Sequence, residues 1–143
     1  MTFSAKTEYG LVALIDLATA HASGDLVQTG EISRRHGIPE RYLEQMLTAL
    51  RKAGFLSSVR GPRGGFLLAR PPEEIRIGEI EACLEGDATS KRKGERQDAE
   101  FQALSRLEQR LAQARLSILE ETTLAQLVQD RDALKQPVPM FYI

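Results

Sequence analysis

The residues best suited to chemistry in this sequence are two arginines in a glycine-rich stretch, RGPRGG, at residues 60–65. Glycine lets the backbone turn tightly and come close to a partner. Strand-like segments on either side, residues 55–59 and 66–69, predict a hairpin with this stretch at its tip. Arg60 and Arg63 would then be exposed, where guanidinium groups are suited to phosphates or to an adjacent minor groove of DNA.

Two predicted helices with a short turn between them precede the hairpin. Thr29 is a candidate N-cap for a helix over residues 30–36, and Gly37 would end it, since glycine accepts the left-handed conformation found after helix ends. Pro39 suits the first position of a second helix, which Gly54 would end. The second helix has apolar residues at helical spacing, namely Tyr42, Leu43, Met46, Leu47 and Leu50. Two helices joined by such a turn are the arrangement that lays its second helix in a DNA major groove.

A first helix over residues 4–22 is predicted from its broad apolar face, with Ser4 as its cap. It would brace the next two helices. Lys6 and Tyr9, near its start, would reach a DNA backbone, although Tyr9 suits the core at least as well. With the hairpin as its wing, the arrangement is a winged helix-turn-helix, a mainly α fold with a small β-hairpin. The function it predicts is DNA binding, and the alternative is a small helical hairpin with an ordinary β-turn.

Length and composition limit the class of protein. A chain of 143 residues suits one domain, or one small domain with an added arm. Its 42% apolar and 27% charged residues are ordinary for a globular protein. No apolar run is long enough to span a membrane, and the N-terminus does not have the pattern of a signal peptide. We therefore expect a cytoplasmic protein.

The net charge of −1 hides a basic middle segment. Residues 29–70 contain eight Lys and Arg residues against three Glu residues, which leaves a net charge of +5. The cationic residues are Arg34, Arg35, Arg41, Arg51, Lys52, Arg60, Arg63 and Arg70. Because phosphate contacts supply most of the non-specific affinity of DNA-binding proteins, this local excess matters more than the total.

Catalysis has little support in the sequence. His21 and His36 are the only histidines, and neither has a nearby Ser or Cys in an acyl-transfer arrangement. Residues 63–65 lack the Lys and Ser/Thr of a phosphate-binding P-loop. The one cysteine, Cys83, excludes an internal disulfide framework and an all-cysteine metal site within one chain. Its apolar neighbours favour a buried, inert thiol, with a redox-active thiol or an intersubunit disulfide as the alternative. We expect no enzyme.

Three segments resemble a known family: AKTEYGLVALIDLA, EISRRHGIPERYLEQMLTALRKAGFLSSVRGPRGGFLLARPPEEIRIGEI and EACLEG. Their most specific pieces are YLEQ, LRKAG and SSVRGPRGGF. In this order and spacing they resemble the Rrf2 family of bacterial transcription regulators over residues 1–86, with weaker similarity through the C-terminal helix. The resemblance implies a regulator that binds double-stranded DNA as a homodimer.

The resemblance also implies roles for particular residues. Arg41, Glu44 and Gln45 occupy positions that face base edges, and the chemistry agrees in part, since Glu accepts from the cytosine amino group and Gln pairs with adenine. Arg60 falls at the family's wing arginine, which enters the minor groove. Arg63 stands where many relatives have glycine, so its role is inferred from charge alone. The DNA-binding candidates are Lys6, Arg41, Tyr42, Glu44, Gln45, Ser57, Ser58, Arg60, Gly61 and Arg63.

Many Rrf2 proteins sense their signal through an iron–sulfur cluster held by cysteines between the wing domain and the long helix. Here the corresponding residues 85–101 contain no cysteine, and such clusters depend on thiolates. Glu8 matches a position that supplies an acidic ligand in some relatives, but without partner ligands it is interpreted as a surface carboxylate. We expect no bound metal or cofactor, and control by an unknown small molecule or protein partner. The alternative is a redox or metal sensor that uses Cys83 or Glu8.

The DNA-binding domain, residues 1–84, is predicted to end in a short extended piece at Ile75 and Ile77 and one or two further helical turns. A flexible loop over residues 85–97 would follow, since this stretch is polar, charged and nearly free of large apolar groups.

A long helix is predicted from about Asp98. Apolar residues recur on it at alternating spacings of three and four, a heptad seam that indicates dimerisation through Leu104, Leu107, Leu111, Ala114 and Ile118. The opposite side is predicted to be solvated and carries Arg106, Glu108, Arg110, Gln113 and Arg115. The seam could pack on its own domain. Pairing with a second copy fits better, because it would place two recognition helices one helical turn apart on a palindromic operator.

Thr123 and Gln126 resemble a capping box that opens a short last helix. Residues 98–129 would thus form the dimerisation helix and a short following helix, and residues 130–143 a C-terminal tail. A protein-interaction module that acts through the long helix or the tail is a further alternative to DNA binding.

Overall fold

The computed structural model describes residues 2–86 and 98–136. Its helices are α1 (Ala5–His21), α2 (Thr29–His36), α3 (Glu40–Lys52), α4 (Ile77–Glu85), α5 (Ala99–Glu121) and α6 (Leu124–Lys135). The strands are β1 (Leu56–Val59) and β2 (Gly65–Leu68), and a 3-10 turn spans Pro72–Glu74. The predicted fold, a mainly helical winged helix-turn-helix with a long C-terminal helix, is confirmed.

The helix-turn-helix has its predicted capping signals, with small shifts at two ends. Ser4 caps α1 through its side-chain oxygen, and Gly37 ends α2 in the left-handed conformation at φ +66°. The prediction that Thr29 caps α2 is wrong, because Thr29 is the first helical residue, is only 8% exposed, and leaves Gln28 at the cap position. Pro39 precedes α3 as its N-cap instead of opening it.

The hairpin forms the wing. Val59 pairs with Gly65 across the turn. The turn requires glycine at Gly64, because a Cβ there would lie 2.0 Å from the Val59 carbonyl oxygen. The extended link before α2, at Val27, adds a short bridge to the sheet: its N–H donates to the Phe66 carbonyl at 2.9 Å, and the Phe66 N–H donates back at 2.8 Å. The wing is therefore bonded to the helical part of the domain.

One hydrophobic core joins α1, α3, α4 and the base of the wing. Leu14, Leu43, Leu47, Leu50 and Ile80 are all 0% exposed within it. Burying one such side chain fully stabilises a fold by about 1.5–3 kcal/mol. Because the apolar side of α3 packs into this core, the polar side of α3 must face solvent.

The elements after the wing differ from the predictions. Ile77, expected in an extended piece, is the first residue of α4, and the Glu79 carboxylate stabilises this helix start by accepting from the Arg76 backbone N–H at 3.1 Å. The capping box of Thr123 and Gln126 is present at the start of α6. That helix runs for 12 residues to Lys135, so it is longer than predicted. It packs on α1 and on the 3-10 turn, and thus joins the DNA-binding domain.

The sequence prediction assigned one residue of α5, Arg115, to the wrong side of the helix. Arg115, expected on a solvated face, lies against α4 and forms an ion pair with Glu81. Leu119, one turn further along, is 7% exposed in the same contact. The heptad count identified the apolar stripe of α5 but not the neighbouring side that docks on the domain.

Parts of two predicted segments lie outside the described residues: residues 87–97 of the flexible loop predicted at 85–97, and residues 137–143 of the tail predicted at 130–143. The first part of that predicted tail, up to Lys135, belongs to α6. Within the described parts of the chain, no helix has both the length and the apolar character needed to cross a bilayer.

Candidate nucleic-acid interface

The polar side of α3 is the centre of the candidate interface. Arg41, Glu44 and Gln45 are exposed on it, while Leu43 and Leu47 point into the core. Because an α-helix repeats every 3.6 residues, the three polar side chains lie on one broad side over the first two turns. Side chains near the start of a recognition helix are those that reach base edges in a major groove.

Tyr42 lies at the edge of this side and joins it to α1. Its ring centroid is 6.0 Å from that of Tyr9, with the planes at 85°, an edge-to-face pair. Such pairs contribute about 0.5–1.5 kcal/mol beyond the area they bury. Tyr42 keeps 36% of its surface exposed. Lys6, about one helical turn before Tyr9, is exposed as well, so the start of α1 adjoins the polar surface of α3.

The wing adds a second polar surface. Ser57 and Ser58 on β1 are exposed, as are Arg60, Gly61 and Arg63 in the turn. All ten DNA-binding candidates from the sequence therefore face solvent. They fall into two groups, one on α3 with the start of α1, and one on the wing.

Two side-chain hydrogen bonds also hold the wing, and neither of their donors, Gln28 and Arg51, was predicted as a DNA-binding residue. Gln28 Nε2 donates to the Pro62 carbonyl oxygen at 3.1 Å, which ties the start of α2 to the wing tip. Arg51 Nη1 donates to Ser58 Oγ at 3.5 Å, which brings the end of α3 to β1. The sequence offered a sign of the role of Arg51, since this residue lies in the basic segment. It offered no sign of the role of Gln28, because the bonding partner of Gln28 is far away in the sequence.

The basic segment is partly used inside the fold. Arg35 Nη1 lies 3.2 Å from Asp16 Oδ2, and the Arg70 guanidinium stacks 4.3 Å from the Phe55 ring centroid and reaches Glu79 at 3.8 Å. Arg35 keeps 56% of its side chain exposed, and the other six cations are exposed as well: Arg34, Arg41, Arg51, Lys52, Arg60 and Arg63. These six belong to α2, α3 and the wing, the elements that contact DNA in a winged helix-turn-helix.

A histidine–aspartate pair is present but does not form a catalytic arrangement. His36 Nε2 lies 2.7 Å from Asp16 Oδ2, and Asp16 is 5% exposed. A triad would need a Ser or Cys next to this pair. The hydroxyl of Ser33, on the same helix as His36, donates to the Ile38 carbonyl at 2.6 Å instead. The pair therefore joins α1 to α2 as a structural contact.

A cleft of about 750 Å³ opens beside the wing tip. It lies between the end of α1, the following loop, α2 and Arg63. Its charged and hydroxyl-bearing side chains include Asp16, Thr19, Ser23, Asp25, Glu31 and Arg35. The lining has both signs of charge, which suits a small polar molecule better than an apolar one.

Cys83 is held in a half-buried position on α4. Its thiol donates to the Ala49 carbonyl at 3.8 Å. Burial raises the pKa of the Cys83 thiol, and the nearby charge of Lys6 opposes this only in part. Because the thiolate is the reactive form, a raised pKa makes this cysteine a poor nucleophile at neutral pH.

Comparison with known proteins identifies the family. A family model described as "Iron-dependent Transcriptional regulator" matches residues 3–130. The chain belongs to the Rrf2 family. It is 50% identical over 86 residues to the HTH-type transcriptional regulator IscR of Cereibacter sphaeroides, a match that covers 59% of this chain and 56% of that relative. It is 36% identical over 143 residues to the HTH-type transcriptional regulator CymR of Bacillus subtilis, and the match covers both chains completely.

Solved structures give the same result. T. potens IscR superimposes with a TM-score of 0.78 at 32% identity, covering 97% of this chain and 94% of that one. The structure of CymR, described as the global cysteine regulator of B. subtilis, also reaches a TM-score of 0.78, at 33% identity, covering 90% of this chain and 97% of that one. As a member of the Rrf2 family, the chain is a DNA-binding transcription regulator.

An iron–sulfur cluster does not fit the donor groups of this Rrf2 chain. The whole sequence has one cysteine, whereas protein-bound clusters are held by several thiolates. Cys83 itself is bonded to a backbone carbonyl. Over residues 2–86 and 98–136, no three His, Cys, Asp or Glu side chains are grouped so as to hold a metal ion.

Proposed function

We propose that this chain is a homodimeric, sequence-specific regulator that binds a palindromic operator in the bacterial cytoplasm, and that it is not an enzyme. The observation that carries the proposal is the combination, in one chain, of an exposed recognition helix and wing with an exposed apolar seam on α5. The recognition helix and wing of one copy contact one half-site, and the seam joins two copies so that the dimer contacts two half-sites.

In this proposal the residues have distinct roles. Arg41, Glu44 and Gln45 contact base edges, and they have the right chemistry, since Arg pairs with guanine, Glu with cytosine and Gln with adenine. Arg60 enters the minor groove. The remaining candidates contact the sugar-phosphate backbone: Lys6, Tyr42, Ser57, Ser58, Gly61 and Arg63. Backbone contacts supply affinity and register, and base contacts supply specificity.

The seam on α5 is the proposed dimer contact. The docked side of α5, at Arg115 and Leu119, neighbours the seam, and among residues 2–86 and 98–136 nothing buries the large side chains of the seam itself. The exposed fractions of its large side chains are 49% for Leu104, 48% for Leu107, 63% for Leu111 and 63% for Ile118. Covering a half-exposed aliphatic side chain stabilises an association by roughly 1 kcal/mol. A second copy presents the same stripe and is the partner we propose.

Control without a cluster is the second part of the proposal. The chain lacks cluster ligands, so its signal is proposed to be a small molecule or a protein partner. The cleft beside Arg63 offers space for a small polar molecule next to the wing.

The alternative is a redox or metal sensor on the same scaffold that uses Cys83 or Glu8. Iron analysis and an absorbance spectrum of anaerobically purified protein distinguish the two hypotheses. An iron-free, colourless protein that still binds its operator supports the proposal. Stoichiometric iron required for binding would support the sensor.

The test of sequence-specific binding is the capture of genomic DNA fragments by purified protein at near-physiological salt. We expect a palindromic motif with half-sites one or two helical turns apart. Arg60→Ala and Arg41→Ala, assayed in parallel, should weaken capture. Recovery of bulk DNA without a motif, or unchanged capture by both variants, would instead favour a protein-interaction module acting through α5.

A further inference from the structure

Arg115 makes the most specific contact between the long helix and the DNA-binding domain. Its guanidinium forms a two-pronged pair with Glu81 on α4, with Nη1 donating to Oε1 at 2.7 Å and Nη2 donating to Oε2. The side chains are 38% and 17% exposed, respectively. Its Cζ also lies 5.8 Å from the centroid of the Phe3 ring, just before α1. Arg115 thus reaches α4 and the start of the chain at once.

The rest of the joint lies near the end of α5 and combines backbone bonds, close packing and a bond from Arg76 Nη1 to the Glu121 carbonyl at 3.4 Å. The Ile77 N–H donates to the Thr122 carbonyl at 2.9 Å, and the Leu124 N–H donates to the Ile75 carbonyl at 2.9 Å. Leu119 packs on Gly78, where a Cβ would lie 3.4 Å from the Leu119 Cβ. These contacts hold one end of α5, and Arg115 is the next contact outward along the helix. It is therefore placed to set the tilt of α5 about that end.

On its other side, α4 is fastened to the helices that carry the DNA-binding residues. Ile80 and Leu84 are 0% and 2% exposed in the core, and the Cys83 thiol bonds the Ala49 carbonyl on α3. Glu85 accepts from Thr7 Oγ1 at 2.5 Å and from Ser4, and these bonds, led by that from Ser4, lower the pKa of the Glu85 carboxyl. Helices α3, α4 and α5 are thus connected in series, and the Arg115–Glu81 pair joins the last two beyond the contacts at the end of α5.

We propose that Arg115 is a positioning residue that sets which spacing between operator half-sites the protein accepts. This inference rests on the proposed dimer. If two copies join through α5, the tilt of α5 on α4 determines the distance between the two α3 helices. Adjacent base pairs are about 3.4 Å apart, so a small change of tilt moves an α3 helix by a whole base-pair step. The planar, two-pronged geometry of an arginine–carboxylate pair restricts that tilt more than a single charge contact does.

The test uses duplexes that carry two inverted copies of the half-site selected by the wild-type protein, with spacers that differ by one base pair. Affinity is measured for the wild type, Arg115→Gln, Arg115→Lys, and a reversed pair in which Glu81→Arg is combined with Arg115→Glu. Arg110→Gln, on an exposed part of the same helix, is the matched control. Affinity for a single half-site and the oligomeric state are measured for each protein.

We expect the wild type and Arg110→Gln to prefer one spacing sharply. Arg115→Gln and Arg115→Lys should reduce the preference for that spacing over its neighbours by about fivefold to tenfold, the range typical of directly coupled side chains. Their affinity for a single half-site and their dimer dissociation constant should stay within about twofold of the wild type, a change too small to account for the altered spacing preference. The reversed pair should recover part of the preference.

An unchanged spacing preference in Arg115→Gln would overturn the inference. So would an equal loss of affinity for single half-sites and palindromes, since that would show a general effect on the domain. A wild-type protein that dimerises but prefers no spacing would also overturn it while leaving the dimer intact. A monomeric wild type would instead overturn the proposed function itself, so the two failures are distinguishable.

Discussion

Gln28 Nε2 donates to the carbonyl oxygen of Pro62 across 3.1 Å, so the N-cap residue of α2 also holds the tip of the wing. The contact joins two surfaces that reach DNA together in a winged helix-turn-helix. A tip held in this way loses less conformational entropy when it binds, which favours affinity. The wing of this protein is therefore positioned by the helix-turn-helix and not by its own strands alone.

The first prediction concerns this contact. Gln28→Ala should lower operator affinity by about threefold to tenfold, because one net hydrogen bond contributes about 0.5–1.5 kcal/mol. Preference among bases should not change. Titration of labelled operator duplex measures the effect, with Gln113→Ala, at an exposed site on α5, as the control. Equal affinities for Gln28→Ala and the wild type would show that the wing tip needs no such support.

A second prediction separates affinity from specificity at the wing. Arg60→Ala should weaken binding broadly and reduce the slope of log affinity against log salt by about 1, because a cation in the minor groove lies close to the phosphates on both of its sides. Titrations at several salt concentrations measure the slope. Arg106→Ala, on α5, is the control. An unchanged slope would place Arg60 outside the DNA contact.

Glu44 should behave in the opposite way. Glu44→Ala is expected to relax the preference at one base position by about 1–3 kcal/mol, because a carboxylate on a recognition helix selects cytosine through its amino group. Affinities for operators changed at single positions give the profile. Glu40→Ala, at the first residue of the same helix, is the matched control. A uniform change at every position would contradict a base-reading role for Glu44.

The dimer contact gives a fourth prediction. Leu111 is 63% exposed on α5, and Leu111→Asp should place a charge in the proposed seam and yield a monomer. Its helical content should be kept, since the side chain does not support the core. Sedimentation measures the mass, with Gln113→Asp on a different side of α5 as the control. A Leu111→Asp protein that remains dimeric would show that another surface joins the subunits.

The fifth prediction concerns Cys83. Burial raises its pKa, so iodoacetamide should alkylate the native thiol at pH 7.5 much more slowly than the same thiol in urea-unfolded protein. Mass spectrometry of timed samples measures the modification. Alkylation of the folded protein as fast as the unfolded one would favour the redox-sensor alternative.

The helix-turn-helix and the wing could be predicted because they follow from local rules. Gly37 needs a left-handed conformation that glycine adopts readily, Ser4 supplies a capping oxygen, and residues 60–65 are typical of a tight exposed turn. Each rule involves residues close together in the chain. The same reasoning failed at Thr29, because the cap position belongs to Gln28, whose side chain bonds the distant Pro62 carbonyl and makes no cap bond within α2.

The contacts that connect elements could not be predicted in this way. Arg115 and Glu81 are 34 residues apart, and no spacing rule relates them. Helical periodicity separates the apolar from the polar residues of α5, but apolar residues have two different environments here: Leu119 docks on the domain, while Leu111 in the seam is 63% exposed. Which side meets which surface is decided by the packing of α4, and that information is spread over the whole chain.

We propose that two metal-free copies of this chain bind one palindromic operator together. The most direct measurement is the mass of the complex between chelator-treated protein and a single palindromic duplex, taken alongside a duplex with one half-site destroyed. We predict two chains on the intact palindrome and a large loss of affinity for the damaged one. One chain per palindrome, or binding only after iron is restored, would contradict the account.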